Sequence, residues 1–194
     1  MHAIKALFVV VAAVFVLNGC APLVVGGTAT GVAVVHDRRT AGTVIEDQAI
    51  ELKAMSALRK EEDLYKQSHI NVTSYNMMVL LSGETPTEGY KQRAEQIVGG
   101  VEKVRRVYNE LRVAAPSSMM TRSSDTLITG KVKTSLFRIK GMEGFDPTRV
   151  KVVTENGTVY LMGLLTRREG DAVAEEARSI GGVQRVVKLF EYID

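Results

Sequence analysis

The feature that most constrains this chain is that it repeats itself. Ile70, Val72, Val79, Leu81, Gly83 and Ala94 recur as Val150, Val152, Val159, Leu161, Gly163 and Ala174 at a constant offset of 80 residues. After a one-residue slip the match resumes, with Val104, Val107, Leu111 and Val113 answering Val183, Val186, Phe190 and Tyr192. Upstream, Ile50, Ala54 and Leu58 answer Ile128, Val132 and Leu136. Self-similarity on this scale means that one supersecondary unit is used twice. The chain is therefore expected to build two small domains of the same α+β type, covering 49–113 and 126–194. Between them, residues 114–125 contain a proline and four serines without apolar periodicity, and read as a linker.

Each copy reads as helix, strand, strand, helix, strand. Apolar residues at i, i+4 and i+8 put Ile50, Ala54, Leu58 and Ile128, Val132, Leu136 on one helical face. The following segments are expected to alternate apolar and polar side chains as half-buried strands. In the second copy Asn156-Gly157 signals a type I′ hairpin turn. The matching Asn76-Met77 replaces glycine where φ must be positive, which predicts a wider or bulged turn. Second helices are expected around 88–98 and 168–179, with left-handed caps near Gly99-Gly100 and Gly181-Gly182. Such a unit is a small three-stranded mixed sheet covered on one face by two helices. Its other face needs water or a partner, and the two copies could supply each other.

The N-terminus carries a different message. Lys5 precedes an apolar run over 6–17, too short for a permanent membrane helix and typical of a secretory signal. Leu17-Asn18-Gly19-Cys20 resembles the bacterial lipoprotein box, in which the cysteine is diacylated (palmitate is a usual chain), the chain is cut before it and the new amine is acylated. Residues 1–19 then form the signal peptide and 20–48 a lipidated spacer, glycine- and alanine-rich at first. Ala21 after Cys20, where an aspartate would favour inner-membrane retention, implies the outer membrane. Cys20 is the only cysteine, so its acylation leaves no disulfide and the fold rests on packed cores.

The Val-x-Leu-x-Gly strand, the helix, the Gly-Val-x-x-Val turn and the closing strand resemble the BON domain, and do so in both copies. A lipobox followed by two such domains is similar to the dual-BON-domain outer-membrane lipoproteins of proteobacteria. The resemblance implies phospholipid binding and a role in cell-envelope integrity, without enzymatic activity. Whether such a protein concentrates at the division site is left open by the sequence.

Reading the residues for chemistry gives no catalytic set, cofactor motif or metal site. His36 and His69 stand in no ligand pattern, and Gly26 and Gly31 are followed by Val32-Ala33 where a phosphate loop needs Lys and Ser or Thr. A net charge of +3 is too small to argue for nucleic acid. Glu61-Glu62-Asp63 reads as solvated surface, and Met77-Met78 and Met119-Met120 suggest no special role.

The clearest functional contrast lies in the first helices. Residues 126–142 hold four bases, Lys131, Lys133, Arg138 and Lys140, and no acid, whereas the first copy balances its charges. With Ile128, Val132, Ser135, Leu136 and Ile139 facing the sheet, Leu127, Gly130, Thr134 and Phe137 form a second, outward stripe bordered by bases. One reading is contact with anionic phospholipid such as phosphatidylglycerol or cardiolipin, in a membrane already engaged by the acyl anchor. The competing reading packs Leu127 and Phe137 on the first domain. A third makes the stripe or the open sheet face an adaptor surface for an outer-membrane assembly or division complex.

Overall fold

The computed structural model describes residues 37–194. The signal segment, Cys20, His36 and all but the end of the expected spacer lie outside the described residues. In chain order the elements are α1 (Ala41–Lys60), α2 (Glu62–Gln67), β1 (His69–Tyr75), β2 (Met78–Thr85), α3 (Glu88–Gly99), β3 (Arg106–Asn109), β4 (Arg112–Val113), α4 (Met119–Leu136), a 3-10 turn (Pro147–Arg149), β5 (Lys151–Glu155), β6 (Thr158–Leu165), α5 (Arg167–Arg178) and β7 (Arg185–Tyr192). This is a tandem of αββαβ units. In each the hairpin is antiparallel and the closing strand returns parallel beside the middle strand, giving the orders β1-β2-β3 and β5-β6-β7.

In the first unit Ile50, Ala54 and Leu58 of α1 pack with Val79 and Leu81 of β2 and with Ala94 and Val98 of α3. The second unit repeats this with Ile128, Val132 and Leu136, Val159 and Leu161, and Ala174 and Ala177. The closing strand of the first unit is broken at residues 110–111, where β4 resumes beside β2. There the Asn109 side chain accepts from the Leu111 N–H and donates to the Lys91 carbonyl, so a local side-chain bond competes with the ladder.

Both hairpin turns are two residues long and left-handed, against the expectation of a wider turn in the first copy. Asn76 and Met77 have φ of 52° and 61°, as Asn156 and Gly157 have 49° and 70°. The device that holds a methionine there is a buried aspartate one turn before the first core residue of the helix. Asp47 accepts from the Asn76 and Met77 backbone N–H groups at 2.8 and 2.7 Å, and Asp125 from Asn156 and Gly157 at 2.9 Å each. Two charge-assisted bonds outweigh the roughly 1–2 kcal/mol that a left-handed non-glycine residue costs. The cap after the second helix of the first copy also differs from expectation, whereas in the second copy the left-handed residue falls within the expected Gly181-Gly182 pair. Gly100 is right-handed, and the left-handed position is Lys103 in the first copy and Gly182 in the second.

The Val-x-Leu-x-Gly motif has a steric cause. A Cβ on Gly83, whose φ is +117°, would stand 2.0 Å from the His69 carbonyl oxygen, and one on Gly163 3.2 Å from the equivalent carbonyl of Arg149. Glycine lets the edge strand cross the middle strand closely at its entry.

The two sheets pack on each other through the faces that the helices leave bare. Tyr75 and Leu80 from one side and Tyr160, Met162 and Leu189 from the other form a third buried cluster, joined by Tyr108, Val153, Leu164 and Val187. The middle strands are thus covered on both faces, and their side chains are apolar in unbroken runs, Met78-Val79-Leu80-Leu81 and Val159-Tyr160-Leu161-Met162, instead of alternating. Tyr75 Oη donates to the Arg149 carbonyl at 3.0 Å, and His69 approaches Glu155. Exchanging the copies at the 80-residue offset turns one contact into the other, so the pair is related by an approximate twofold axis. This packing removes the sheet face as an adaptor surface.

Chain segments expected to be spacer and linker are built into this body. Arg39 lies over the Tyr75 ring at 3.8 Å and pairs with Asp37 and Asp47. Arg38 crosses to the second unit, where its guanidinium grips both oxygens of Glu169 at 2.6 and 2.8 Å. Burial pushes the Glu169 carboxyl up, but Arg38 and the Thr166 N–H outweigh it and hold the group below the usual carboxylate range. Seven residues of the 114–125 segment belong to α4, whose N-cap Ser118 accepts from the Thr121 N–H.

Candidate functional site

Helix α4 has two faces. Asp125, Ile128, Val132, Ser135 and Leu136 are buried against the sheet, and Ile139 packs on the same core just beyond the helix. On the opposite side Leu127 is 66% and Phe137 65% exposed, which excludes their packing on the first domain. Gly130 and Thr134 between them are exposed as well. Because α4 starts earlier than the sequence pattern indicated, the stripe is longer: Met119 and Met120, 75% and 84% exposed, continue it toward the N-terminus. At about 100° per residue these four apolar side chains fall within one sector of roughly 100°. The signal for the two methionines was available in the Ser118-x-x-Thr121 cap and in the seven-residue step from Met120 to Leu127.

Beside the stripe runs a groove of 690 Å³ between α4 and the turn after α5, lined by Leu127, Gly130, Lys131, Thr134, Arg138 and Ile180 among others. Lys131, Lys133 and Lys140 project from exposed positions and form no ion pair among the described residues. Arg138 is different: its guanidinium lies 3.1 Å from Glu176 of α5, so one of the four bases is partly neutralised. The helix ends at Leu136, with Phe137 as its cap, so Lys140 lies beyond the helix and does not continue its spacing. Among the described residues no helix is long and apolar enough to cross a membrane. The arrangement is a surface suited to lie on a membrane: apolar stripe in the middle, flexible cations at its edges.

A second constellation was missed by the sequence reading. His69, at the start of β1, places Nδ1 3.1 Å from Glu84 of β2 and 3.8 Å from Glu155 of β5. Glu84 also accepts from the Ser117 N–H and the Asn156 side chain, and Glu155 from Asn71. Burial pushes both carboxyls up; at Glu84 the donors outweigh it and the group is held low, whereas Glu155 stays raised. No sequence motif joins these residues: the β1–β2 register sets His69 opposite Glu84, and the sheet-to-sheet packing brings Glu155 to them. By contrast Glu61 pairs with Arg93 and Glu62 with Lys66, an ordinary ion-paired surface for the acidic run.

Two packed αββαβ units with glycine-gated strand pairs define a class, and the comparisons agree with it. Residues 46–115 and 124–194 each match the BON domain, so the chain belongs to the BON domain family. It is 38% identical to the outer membrane lipoprotein DolP of Haemophilus influenzae over 98% of this chain and 97% of that protein. It is also 37% identical to a 21 kDa hemolysin of Actinobacillus pleuropneumoniae, over 81% of this chain and 79% of that one. Identity to the osmotically-inducible protein Y of Escherichia coli is 30%, over 75% and 72% of the two chains. The chain is thus a DolP-like BON lipoprotein of the outer membrane.

Proposed function

We propose that this protein is a non-enzymatic lipoprotein, held on the periplasmic face of the outer membrane by acylated Cys20, that binds anionic phospholipid through α4 and so supports envelope integrity. The observation that carries the reading is the exposed stripe of Met119, Met120, Leu127 and Phe137 on a helix whose other face is fully engaged. Leaving four large apolar side chains in water is costly, and inserting them at the acyl boundary recovers that free energy.

Lys131, Lys133 and Lys140 each contribute about 1 kcal/mol near an anionic surface, and Arg138 contributes less because of Glu176. Roughly 3 kcal/mol from charge, plus apolar insertion, gives reversible binding. That suffices for a site already tethered at the membrane, where the effective concentration is high. The first domain supports orientation: just before α1, Arg39 pairs with Asp47 of the first domain and Arg38 with Glu169 of the second, so this short segment holds both domains.

The test is co-sedimentation of the unlipidated chain from residue 37 onward with vesicles. Binding to phosphatidylglycerol vesicles that weakens with salt and is absent with phosphatidylcholine is expected, as is its loss in Leu127→Glu and Phe137→Glu with circular dichroism unchanged. Equal binding of these variants and wild type would remove α4 from the account.

A further inference from the structure

We propose that His69, Glu84 and Glu155 form a divalent-cation site of the zinc class that clamps the two BON domains together. This goes beyond lipid binding and does not depend on it.

The geometry is the first argument. One ring nitrogen and one oxygen from each carboxylate all lie within 4.8 Å of one another. Two ligand atoms each about 2.1 Å from a tetrahedral zinc ion stand roughly 3.4 Å apart. The distances from His69 Nδ1 to Glu84 Oε2 and to Glu155 Oε1, 3.1 and 3.8 Å, bracket that value. An imidazole with two carboxylates suits zinc better than calcium, which takes six or more oxygens.

Charge is the second argument. The Glu84 and Glu155 side chains are 2% and 6% exposed, and neither forms an ion pair with a lysine or arginine among the described residues. Two buried carboxyl groups with only a histidine beside them gather acidic ligand atoms at one point, an arrangement that a divalent cation would balance. Arg122 lines the neighbouring groove but is directed to Ser117 Oγ at 3.3 Å.

The surroundings are the third. The Ser117 N–H and the Asn156 and Asn71 side chains orient the carboxylates as supporting donors do around metal ligands. In the next cross-strand row, Ser82 faces the seam opposite Asn71, and its buried hydroxyl has no hydrogen-bond partner among the described residues. A groove of 380 Å³ over His69, Asn71 and Glu155 gives an ion a path from solvent. The ligands come from both domains, so occupancy would stiffen the seam.

The mature protein, purified in detergent and stripped with a chelator, is dialysed against zinc and its metal content measured, with thermal unfolding followed in parallel. One zinc per chain and a raised Tm are expected for wild type. Glu155→Gln and His69→Asn should each weaken zinc binding by more than about tenfold and abolish the Tm shift. Two variants are used so that the comparison stands if one does not fold. No stoichiometric zinc on wild type, or the same zinc content in a folded variant, overturns the site.

Discussion

Replacing Asp47 by asparagine tests the device that sets the first hairpin. The Asp47 carboxylate is 3% exposed and receives four donors: the Asn76 and Met77 backbone N–H groups, Ser74 Oγ at 2.7 Å and the Arg39 guanidinium at 2.8 Å. Asparagine keeps the shape but offers one acceptor oxygen, and its NH2 turns a donor toward another donor. At least one turn amide, or Arg39, then loses its acceptor. Hydrogen bonds to a charged group contribute about 1.5–3 kcal/mol each, and a buried donor left unpaired costs about 1–3 kcal/mol. A loss of about 3–4 kcal/mol follows for Asp47→Asn. The same change at Asp125, which among the described residues holds only the two turn amides and no arginine, should cost about 2 kcal/mol. Urea denaturation followed by far-UV circular dichroism measures both. A cost below about 1 kcal/mol for Asp47→Asn, or a larger cost at Asp125, would refute the reasoning that the carboxylate and not local sequence holds Met77 left-handed.

Two further outcomes follow from the fold. Glu169 is held below its unfolded pKa by Arg38, so this contribution to stability is present above the unfolded value and is lost as pH falls through the folded one. Glu169→Gln should therefore lower Tm at neutral pH and flatten the loss of Tm on acidification; parallel acid curves for variant and wild type would contradict this. Gly83→Ala places a methyl group 2.0 Å from a backbone oxygen at positive φ and should prevent the first domain from folding, whereas Gly163→Ala, at 3.2 Å, should be tolerated at a cost of about 1–2 kcal/mol; equal Tm values for the two would count against the steric account of the motif.

The sequence made the two αββαβ units and their helix-facing cores legible, because the repeat and the helical spacing of Ile50, Ala54, Leu58 and Ile128, Val132, Leu136 record local burial directly. It was less legible that the sheets pack face to face. The sign was present in the unbroken apolar runs of β2 and β6, but a short apolar run also fits strands that alternate imperfectly. Met77 misled because the residue that rescues its turn, Asp47, lies on another element, and no local rule connects them. For the stripe, Leu127, Gly130, Thr134 and Phe137 were readable from helical angles alone. Met119 and Met120 were masked by a serine-rich stretch that looks like linker, although the Ser118-x-x-Thr121 signal within it marks where α4 begins. Glu176 beside Arg138 was also hidden, because charge balance along one helix says nothing of its neighbour. The His69, Glu84 and Glu155 cluster lay furthest from view: His69 and Glu84 face each other across the first hairpin, but Glu155 reaches them only across the seam between the two sheets.

What α4 touches decides whether the second domain is a lipid-binding one. Backbone amide shifts of the isotope-labelled, unlipidated chain recorded during titration with phosphatidylglycerol micelles test this most directly. Perturbations are expected at Met119, Met120, Leu127, Lys131 and Phe137 and along the groove at Ile180, with the seam residues unmoved and the response reduced by salt. Shifts centred on the exposed Ile45 and Leu52 of α1, or no shifts at all, would contradict a lipid-binding second domain.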